Sequence, residues 1–216
     1  NVVLADLDAA GLAVVEAEFV KAKYLAPLLV TGDMSDEAVV KRTVSETVSH
    51  FGGIDGAVIN AGIGVSDNLE DLTAEKWRKG LDVNLTSAFL MTREVSGALK
   101  TQGMGGSIVY VASKNAFAPG AGFGGYSVSK AGMLQLMRIA ALENGSAGIR
   151  YNAVNPDAVF DNSKLWAGGV REQRAAAHIG LEPLAHRRIQ PFKALAHVDG
   201  IERHEHLQTA GETQHD

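Results

Sequence analysis

Residues 113–130, which read SKNAFAPGAGFGGYSVSK, carry a serine, a tyrosine and a lysine at fixed offsets. Tyr126 and Lys130 are four residues apart, and the residues after them are good helix formers with apolar side chains at helical intervals. Both side chains are therefore predicted to share one helix face. A phenol has an ordinary pKa of about 10, so it becomes a usable base near neutral pH only beside a cation such as Lys130. The alternative is an ordinary tyrosine and lysine on the surface of an amphipathic helix.

Length and composition restrict the class of protein. A chain of 216 residues is long enough for one α/β domain with a sizeable core. The formal charge of −5 and the lack of long like-charged runs argue against nucleic acid or a membrane surface as a partner. No apolar run reaches membrane-spanning length. The absence of cysteine excludes disulfides and thiolate chemistry, and it favours a cytoplasmic location.

Apolar β-branched runs alternate with helical patterns along the first three quarters of the chain. Strands are predicted at residues 2–5, 25–31, 54–59, 107–112 and 149–154, and the second of them, being continuously apolar, is predicted to be buried on both faces. Helices are predicted at residues 9–23, from a cap at Ser35 to residue 51, from a cap at Thr73 to residue 100, and at residues 126–142. This alternation predicts an α/β protein with a doubly wound parallel sheet.

The pattern weakens beyond Pro156. Helical segments are predicted at residues 170–178 and 184–196, and residues 191–216 are predicted to form a poorly ordered polar tail. His204 and His206 in that tail could hold a metal weakly. Because no third ligand has a supportive spacing, no metal site is predicted.

Polar residues stand where the predicted strands end. In open parallel α/β sheets, ligands bind outside the carboxyl ends of the strands. The polar groups at the five strand ends are Asp6, Asp33, Asn60 with Ala61 and Gly62, Ser113, and Asn155 with Pro156. The sequence therefore predicts a ligand site along this edge.

Two of these strand ends have a specific interpretation. The carboxylate of Asp6 can accept hydrogen bonds from an adenosine ribose and would repel a 2′-phosphate, which favours NAD over NADP. The alternative is a helix N-cap, for which Asp8 is an equally good candidate. Asn60, Ala61 and Gly62 supply small residues where a backbone can approach a flat ligand, and the alternative is a tight loop with Gly62 at positive φ.

Taken together and in order, these motifs resemble the short-chain dehydrogenase/reductase family over about residues 1–160. The motifs that carry the resemblance are Asn60-Ala61-Gly62, Asn84 in DVNLTSAF, Ser113, Tyr126 with Lys130, and Asn155-Pro156. The resemblance implies a Rossmann-type fold and an NAD-dependent oxidoreductase. In such an enzyme Tyr126 would exchange a proton with the substrate oxygen and Ser113 would hydrogen-bond the same oxygen. Lys130 would lower the pKa of Tyr126 and bind the nicotinamide ribose.

The same resemblance implies further roles. Asn84 would bend its helix and hold a water that relays protons to Lys130, although an exposed mid-helix asparagine is the alternative. Asp33 would meet the adenine edge. Pro156 and Val159 would face the nicotinamide, with Val159 offering backbone groups to the carboxamide. The resemblance also implies a homo-oligomer, a dimer or tetramer built on the helices that hold Asn84 and Tyr126.

A narrower resemblance is carried by VASKNAFAPGAGFGGYSVSKAG and by NPDAVF. These segments are similar to the dehydrogenase half of bifunctional rhamnulose-1-phosphate aldolase/short-chain dehydrogenases. That implies a small alcohol or aldehyde substrate from deoxysugar catabolism, similar to lactaldehyde. Lys114 and Asn115 are then placed to contact a polar or phosphorylated substrate, and the alternative for Lys114 is a solvent-facing side chain.

One departure from the family qualifies this expectation. The family's first strand and its Gly-rich, pyrophosphate-binding turn are not found ahead of residues 2–5, which predicts an N-terminally truncated, incomplete dinucleotide-binding domain over residues 1–190. In the family's strand order, the missing strand would lie between residues 2–5 and 54–59. Two alternatives therefore stay open, namely activity on another secondary alcohol or ketone and a catalytically silent fragment.

Overall fold

The computed structural model describes residues 1–157. Val159, the two tail histidines, the helices predicted at residues 170–178 and 184–196, and the predicted tail all lie outside the described residues. The domain boundary at residue 190 lies there as well, and it stays a prediction.

Strands and helices alternate as predicted. The strands are β1 (Val3–Asp6), β2 (Leu28–Thr31), β3 (Gly56–Ile59), β4 (Gly106–Val111) and β5 (Ile149–Val154). The helices are α1 (Ala9–Lys21), α2 (Glu37–Phe51), α3 (Ala74–Leu81), α4 (Ser87–Gln102) and α5 (Gly124–Asn144). The predicted strand ends differ from these bounds by no more than three residues.

The five strands form two parallel sheets rather than one. One sheet contains β1 and β2, and the other contains β3, β4 and β5 in that order. Within the described residues β1 and β3 do not pair, and this break falls where the resemblance predicts a further strand between them. Strand β2 is not buried on both faces as predicted, because it is an edge strand of a two-stranded sheet. Of its residues only Val30 is buried, and Thr31 is exposed.

The main core lies between one face of the second sheet and helices α4 and α5. Alternate residues of β4 and β5 face the helices, because successive side chains of a strand point to opposite faces. Ile108 and Tyr110 of β4 and Leu99 of α4 are completely buried. A smaller cluster joins α2 to α4, and Ala5 of β1 and Ala61 after β3 both pack against it. The carboxyl ends of β1 and β3 are therefore held against the same group of apolar side chains.

The cap of α2 differs from the prediction. Asp36 caps this helix by accepting from the amide of Ala38 at 2.8 Å, and Ser35 does not. The Ser35 hydroxyl instead donates to the carboxylate of Asp33 at 2.7 Å. Asp36 rather than Ser35 directly precedes Glu37, the first residue of α2, so the Asp36 side chain is the one placed to accept from the first turn.

The helix predicted from Thr73 to residue 100 is interrupted. Thr73 caps it as expected, accepting from the amide of Lys76. Between α3 and α4, however, residues Asp82–Thr86 form a π-helical turn. Such turns are rare and often occur at functional sites. This one contains Asn84, whose side chain is directed into the protein.

No helix within residues 1–157 is both long and apolar enough to span a membrane. Across the same residues, no three histidine or carboxylate side chains are grouped so that they could hold a metal ion.

Candidate active site

The first turns of α5 bring Tyr126 and Lys130 to the carboxyl end of β4. Lys130 is only 4% exposed, and its ammonium donates to the carbonyl oxygen of Val111 at 2.8 Å. The Nζ atom lies 5.8 Å from the centre of the Tyr126 ring, which is half-buried. The alternative of a surface tyrosine and lysine is therefore wrong. A buried ammonium is costly, so such a placement is a sign of a functional site.

Burial controls the ionisation of both groups. Burial raises the pKa of Tyr126, and a hydrogen bond with the Ser113 side chain acts in the opposite direction. The expected lowering of the Tyr126 pKa by Lys130 is not seen, because the ammonium is directed at the Val111 carbonyl. Burial also lowers the pKa of Lys130 from 10.5 to about 8. Lys130 is therefore a cation at neutral pH that loses its proton in mildly alkaline solution.

Ser113 is placed against Tyr126 by the turn that follows β4. Its backbone is extended, it is 8% exposed, and its hydroxyl oxygen accepts from the amide of Asn115 at 3.2 Å. The short turn Lys114–Ala116 then packs against α5. Serine, tyrosine and lysine are thus brought together as the sequence predicted.

Asn84 connects three segments of the chain. Its side chain is completely buried, so the alternative of an exposed mid-helix asparagine is wrong. Its Oδ1 atom accepts from the amide of Ile63 at 2.7 Å, and its Nδ2 atom donates to the Ile63 carbonyl and to Ser129 Oγ, each at 3.0 Å. The predicted bend is present as the π-helical turn. Both amide protons are used by protein partners, and the water-holding role stays a prediction.

Gly62 lies where a side chain would not fit well. A Cβ atom added there would be 3.1 Å from Asn84 Oδ1 and 3.5 Å from Lys130 Nζ. Gly62 is not among the described glycines with positive φ, so that alternative is wrong. Glycine is favoured here because a side chain would crowd the Oδ1 atom of Asn84, whereas its contact with Lys130 would be an ordinary one. The neighbouring Asn60 is exposed, and Ala61 is half-buried.

The two acidic strand ends have separate local roles. Asp6 is exposed at the end of β1, and its Oδ1 atom accepts from the amide of Asp8 at 2.9 Å. Asp8 is the cap of α1, accepting from the amide of Gly11, so the cap alternative for Asp6 is wrong. This leaves the Asp6 carboxylate at the edge where a ligand is expected.

Asp33 at the end of β2 borders a cavity. The hydroxyl and the amide of Ser35 both donate to its carboxylate, and these bonds lower the pKa of Asp33. The cavity has a volume of about 340 Å³ and is lined by Asp33, Ser35, Glu75, Arg78, Lys79, Asp82 and Val83. Contact of Asp33 with an adenine stays a prediction.

Comparison with known protein families identifies the family of this chain. The family model described as short chain dehydrogenase matches residues 1–165. The chain belongs to the short chain dehydrogenase family. Its fold and the order of its motifs agree with this membership.

Two related proteins are similar to this chain over only part of their own length. YuxG of Bacillus subtilis (strain 168), an uncharacterized oxidoreductase, is 36% identical over 187 residues, covering 85% of this chain and 27% of YuxG. Glucose 1-dehydrogenase of Gluconobacter oxydans (strain 621H) is 37% identical over 156 residues, covering 71% of this chain and 59% of that enzyme. The chain therefore spans less than two thirds of the length of either relative.

A solved structure resembles this short chain dehydrogenase closely. The 3-ketoacyl-(acyl-carrier-protein) reductase from Brucella melitensis, in complex with NADH, has a TM-score of 0.68 and 34% identity. The match covers 72% of this chain and 64% of the reductase chain.

The residues after β5 contain a contact that the sequence did not predict. The Lys114 ammonium pairs with the Asp157 carboxylate at 2.6 Å, and the Lys114 amide donates to the carbonyl of Pro156 at 3.0 Å. Lys114 is therefore not the solvent-facing side chain of the alternative. The only signal in the sequence was that opposite charges directly follow Ser113 and Pro156. The Oδ1 atom of Asn155 is buried, without a hydrogen-bond partner among residues 1–157.

The buried ammonium leads to a prediction about stability. In the folded protein Lys130 loses its proton near pH 8, whereas in the unfolded chain it does so near 10.5. Between these values the unfolded state binds more protons, so the free energy of unfolding increases with pH. Relative to Lys130→Met, the wild type should gain up to about 3 kcal/mol from pH 8 to 10.5. Urea unfolding of both proteins at each pH measures this gain.

The matched control is Lys76→Met, because Lys76 is 59% exposed in a surface ion pair with Asp67. The difference between wild type and this control should not change with pH over the same range. A constant difference between wild type and Lys130→Met would show that the Lys130 pKa is not lowered.

Proposed function

We propose that this short chain dehydrogenase binds NAD and transfers hydride between the nicotinamide and a small alcohol or the corresponding carbonyl compound. The observation that carries the proposal is the meeting of Ser113, Tyr126 and the buried Lys130 at the carboxyl end of β4. No surface role accounts for a buried ammonium with a single carbonyl acceptor among the described residues. Proton transfer to or from an alcohol oxygen requires such a group of residues.

Each of the three side chains has a separate task in this proposal. Tyr126 exchanges a proton with the substrate oxygen: the phenol, whose pKa burial raises, donates a proton when a carbonyl is reduced, and the phenolate accepts the proton when an alcohol is oxidised. Ser113 hydrogen-bonds the same oxygen and stabilises its partial negative charge. Lys130 keeps two ammonium protons available beyond its bond to Val111, and these can bind ribose hydroxyls. Charge from Lys130 also favours release of the phenolic proton once ligand has replaced water around it.

The residues present fit a nicotinamide dinucleotide. Gly62 lies close to Lys130 and has no side chain, so a flat ligand can approach its backbone. Asp6 is proposed to bind the adenosine ribose, Asp33 to meet the adenine edge, and Pro156 and Val159 to face the nicotinamide. The related reductase from Brucella melitensis is complexed with NADH, which supports NAD as the cofactor. When bound, the cofactor supplies the hydride chemistry.

The substrate proposed is a small hydroxylated alcohol or aldehyde from deoxysugar catabolism, similar to lactaldehyde. The narrower resemblance in residues 111–132 supports this choice, and a relative named glucose 1-dehydrogenase is in keeping with a hydroxylated substrate. The alternative is another secondary alcohol or ketone. A chain that binds no cofactor is the competing hypothesis, supported by the break between β1 and β3.

The role of Tyr126 can be tested by replacing it with phenylalanine. Tyr126→Phe removes the group that takes the proton from the alcohol but keeps the ring, so NADH binding should persist while turnover falls by about a hundredfold to ten-thousandfold. Fluorescence titration with NADH measures binding, and NADH formation with 1,2-propanediol measures turnover. Tyr24→Phe is the matched control, because Tyr24 is 70% exposed and far along the chain from the site. If wild-type protein does not bind NADH, the chain is catalytically silent.

Cofactor preference provides an independent test at Asp6. Asp6→Asn removes the negative charge but keeps an oxygen that can accept from the amide of Asp8, so the turn is preserved. The ratio of Kd for NADPH to Kd for NADH should fall roughly tenfold, since repulsion of the 2′-phosphate is lost. An unchanged ratio would mean that Asp6 serves only the turn before α1.

We also propose that the protein forms a homo-oligomer through α4 and α5. Both helices expose large apolar side chains to solvent, namely Phe89 (45%), Val128 (47%) and Ile139 (43%). Apolar faces of this kind are typical of contacts between subunits.

If the protein assembles through α4 and α5, a charge placed on the exposed face of α5 should disrupt the assembly. Ile139→Glu should shift the protein to monomer, because an unpaired carboxylate would be buried at the contact. Multi-angle light scattering after gel filtration measures the mass. Val14→Glu, at a position on α1 that is 60% exposed, is the control and should leave the mass per particle unchanged. A monomeric wild type would contradict the proposal.

A further inference from the structure

The residues that directly follow Ser113 and Pro156 in the sequence form an ion pair. Lys114 follows Ser113 at the end of β4, and Asp157 follows Pro156 after the end of β5. The Lys114 Nζ and Asp157 Oδ1 atoms are 2.6 Å apart. Because β4 and β5 are parallel neighbours, both charges stand at the edge of the sheet where ligands bind.

The lysine of this pair is less exposed than those of the other lysine pairs of the described residues. The Lys114 side chain is 28% exposed, whereas those of Lys41 and Lys76 in their ion pairs are 55% and 59% exposed. The backbone amide of Lys114 also donates to the carbonyl of Pro156 at 3.0 Å. The two segments are therefore joined by a backbone hydrogen bond as well as by the ion pair.

The two members of the pair are not equally accessible. The Asp157 side chain is 65% exposed, more than twice the exposure of Lys114. The Asp157 carboxylate is therefore the more accessible charge of the pair, and its negative charge offsets that of the Lys114 ammonium. A carboxylate accepts hydrogen bonds from hydroxyl groups, whereas it repels phosphates and other carboxylates.

We propose that Asp157 determines substrate charge by neutralising Lys114, so that the site takes neutral hydroxylated substrates and rejects those with a phosphate or carboxylate near the reacting carbon. The assignment refines the substrate class of the proposed function and rests on it for the position of the reacting carbon. It differs from the expectation that Lys114 receives a phosphorylated substrate. Lys114 is, on this proposal, a latent anion site that a single substitution should expose.

Direct binding of inorganic phosphate to the full chain tests the proposal without any turnover. Calorimetric titration at constant ionic strength compares the wild type with Asp157→Asn and with the double variant Lys114→Met/Asp157→Asn. The asparagine keeps the size of the side chain but not its charge, so Asp157→Asn should bind phosphate roughly tenfold more tightly than the wild type. The double variant should lose this gain, which would assign it to Lys114 rather than to any other basic group.

The proposal is overturned if Asp157→Asn shows no gain, or if its gain survives in the double variant. It is also overturned if wild-type protein binds phosphate as tightly as Asp157→Asn does. Where turnover is measurable, 1,2-propanediol and lactate supply a matched pair of neutral and anionic substrates. Their ratio of kcat/KM should fall about tenfold in Asp157→Asn. Failure of the proposed function would instead appear as absent NADH binding in the wild type, which leaves the phosphate result interpretable.

Discussion

The ammonium of Lys130 is the charge on which the arrangement of the site depends. It is almost completely removed from water, and the described residues offer it one acceptor, the carbonyl of Val111 at the end of β4. Burying a cation with so little compensation is unfavourable, and this is why its pKa falls to about 8. A fold optimised only for stability would place an apolar side chain there. The position is therefore best understood as one maintained for a ligand that supplies the missing acceptors.

The surrounding structure is organised to hold that lysine in place. Asn84 is turned inward by the π-helical segment and links the loop after β3 to Ser129, one residue before Lys130. Gly62 removes the side chain that would otherwise contact both Asn84 and the ammonium. The loops after β3 and β4 and the start of α5 are thus joined by hydrogen bonds and by close backbone contact. The π-helical turn departs from regular helix geometry, and it holds Asn84 in a fixed position among these segments.

The charged side chains at the carboxyl ends of the strands differ from one strand to the next in a way that the sequence motifs alone do not indicate. Asp6 and Asp33 are held by short local hydrogen bonds at the ends of β1 and β2, where a dinucleotide is expected. At the other end of the edge, Lys114 and Asp157 cancel each other beside Ser113. Negative charge is thus presented where ribose hydroxyls are proposed to bind, and a neutral pair stands next to the proposed reacting oxygen. Family membership alone does not distinguish these local fields.

The sequence by itself determined the alternation of strands and helices, the family, and which residues meet at the strand ends. These properties follow from local patterns, since hydrophobic periodicity and the four-residue spacing of Tyr126 and Lys130 need no knowledge of distant contacts. Only the tertiary structure decided the features that depend on residues far apart in the chain. The sign of the Tyr126 pKa shift depends on burial, the π-helical turn on the contact of Asn84 with Ile63, and the pairing of Lys114 with Asp157 on the register of β4 and β5. Solvent exclusion and long-range pairing arise only when separate segments pack together, and for that reason no local pattern could predict them.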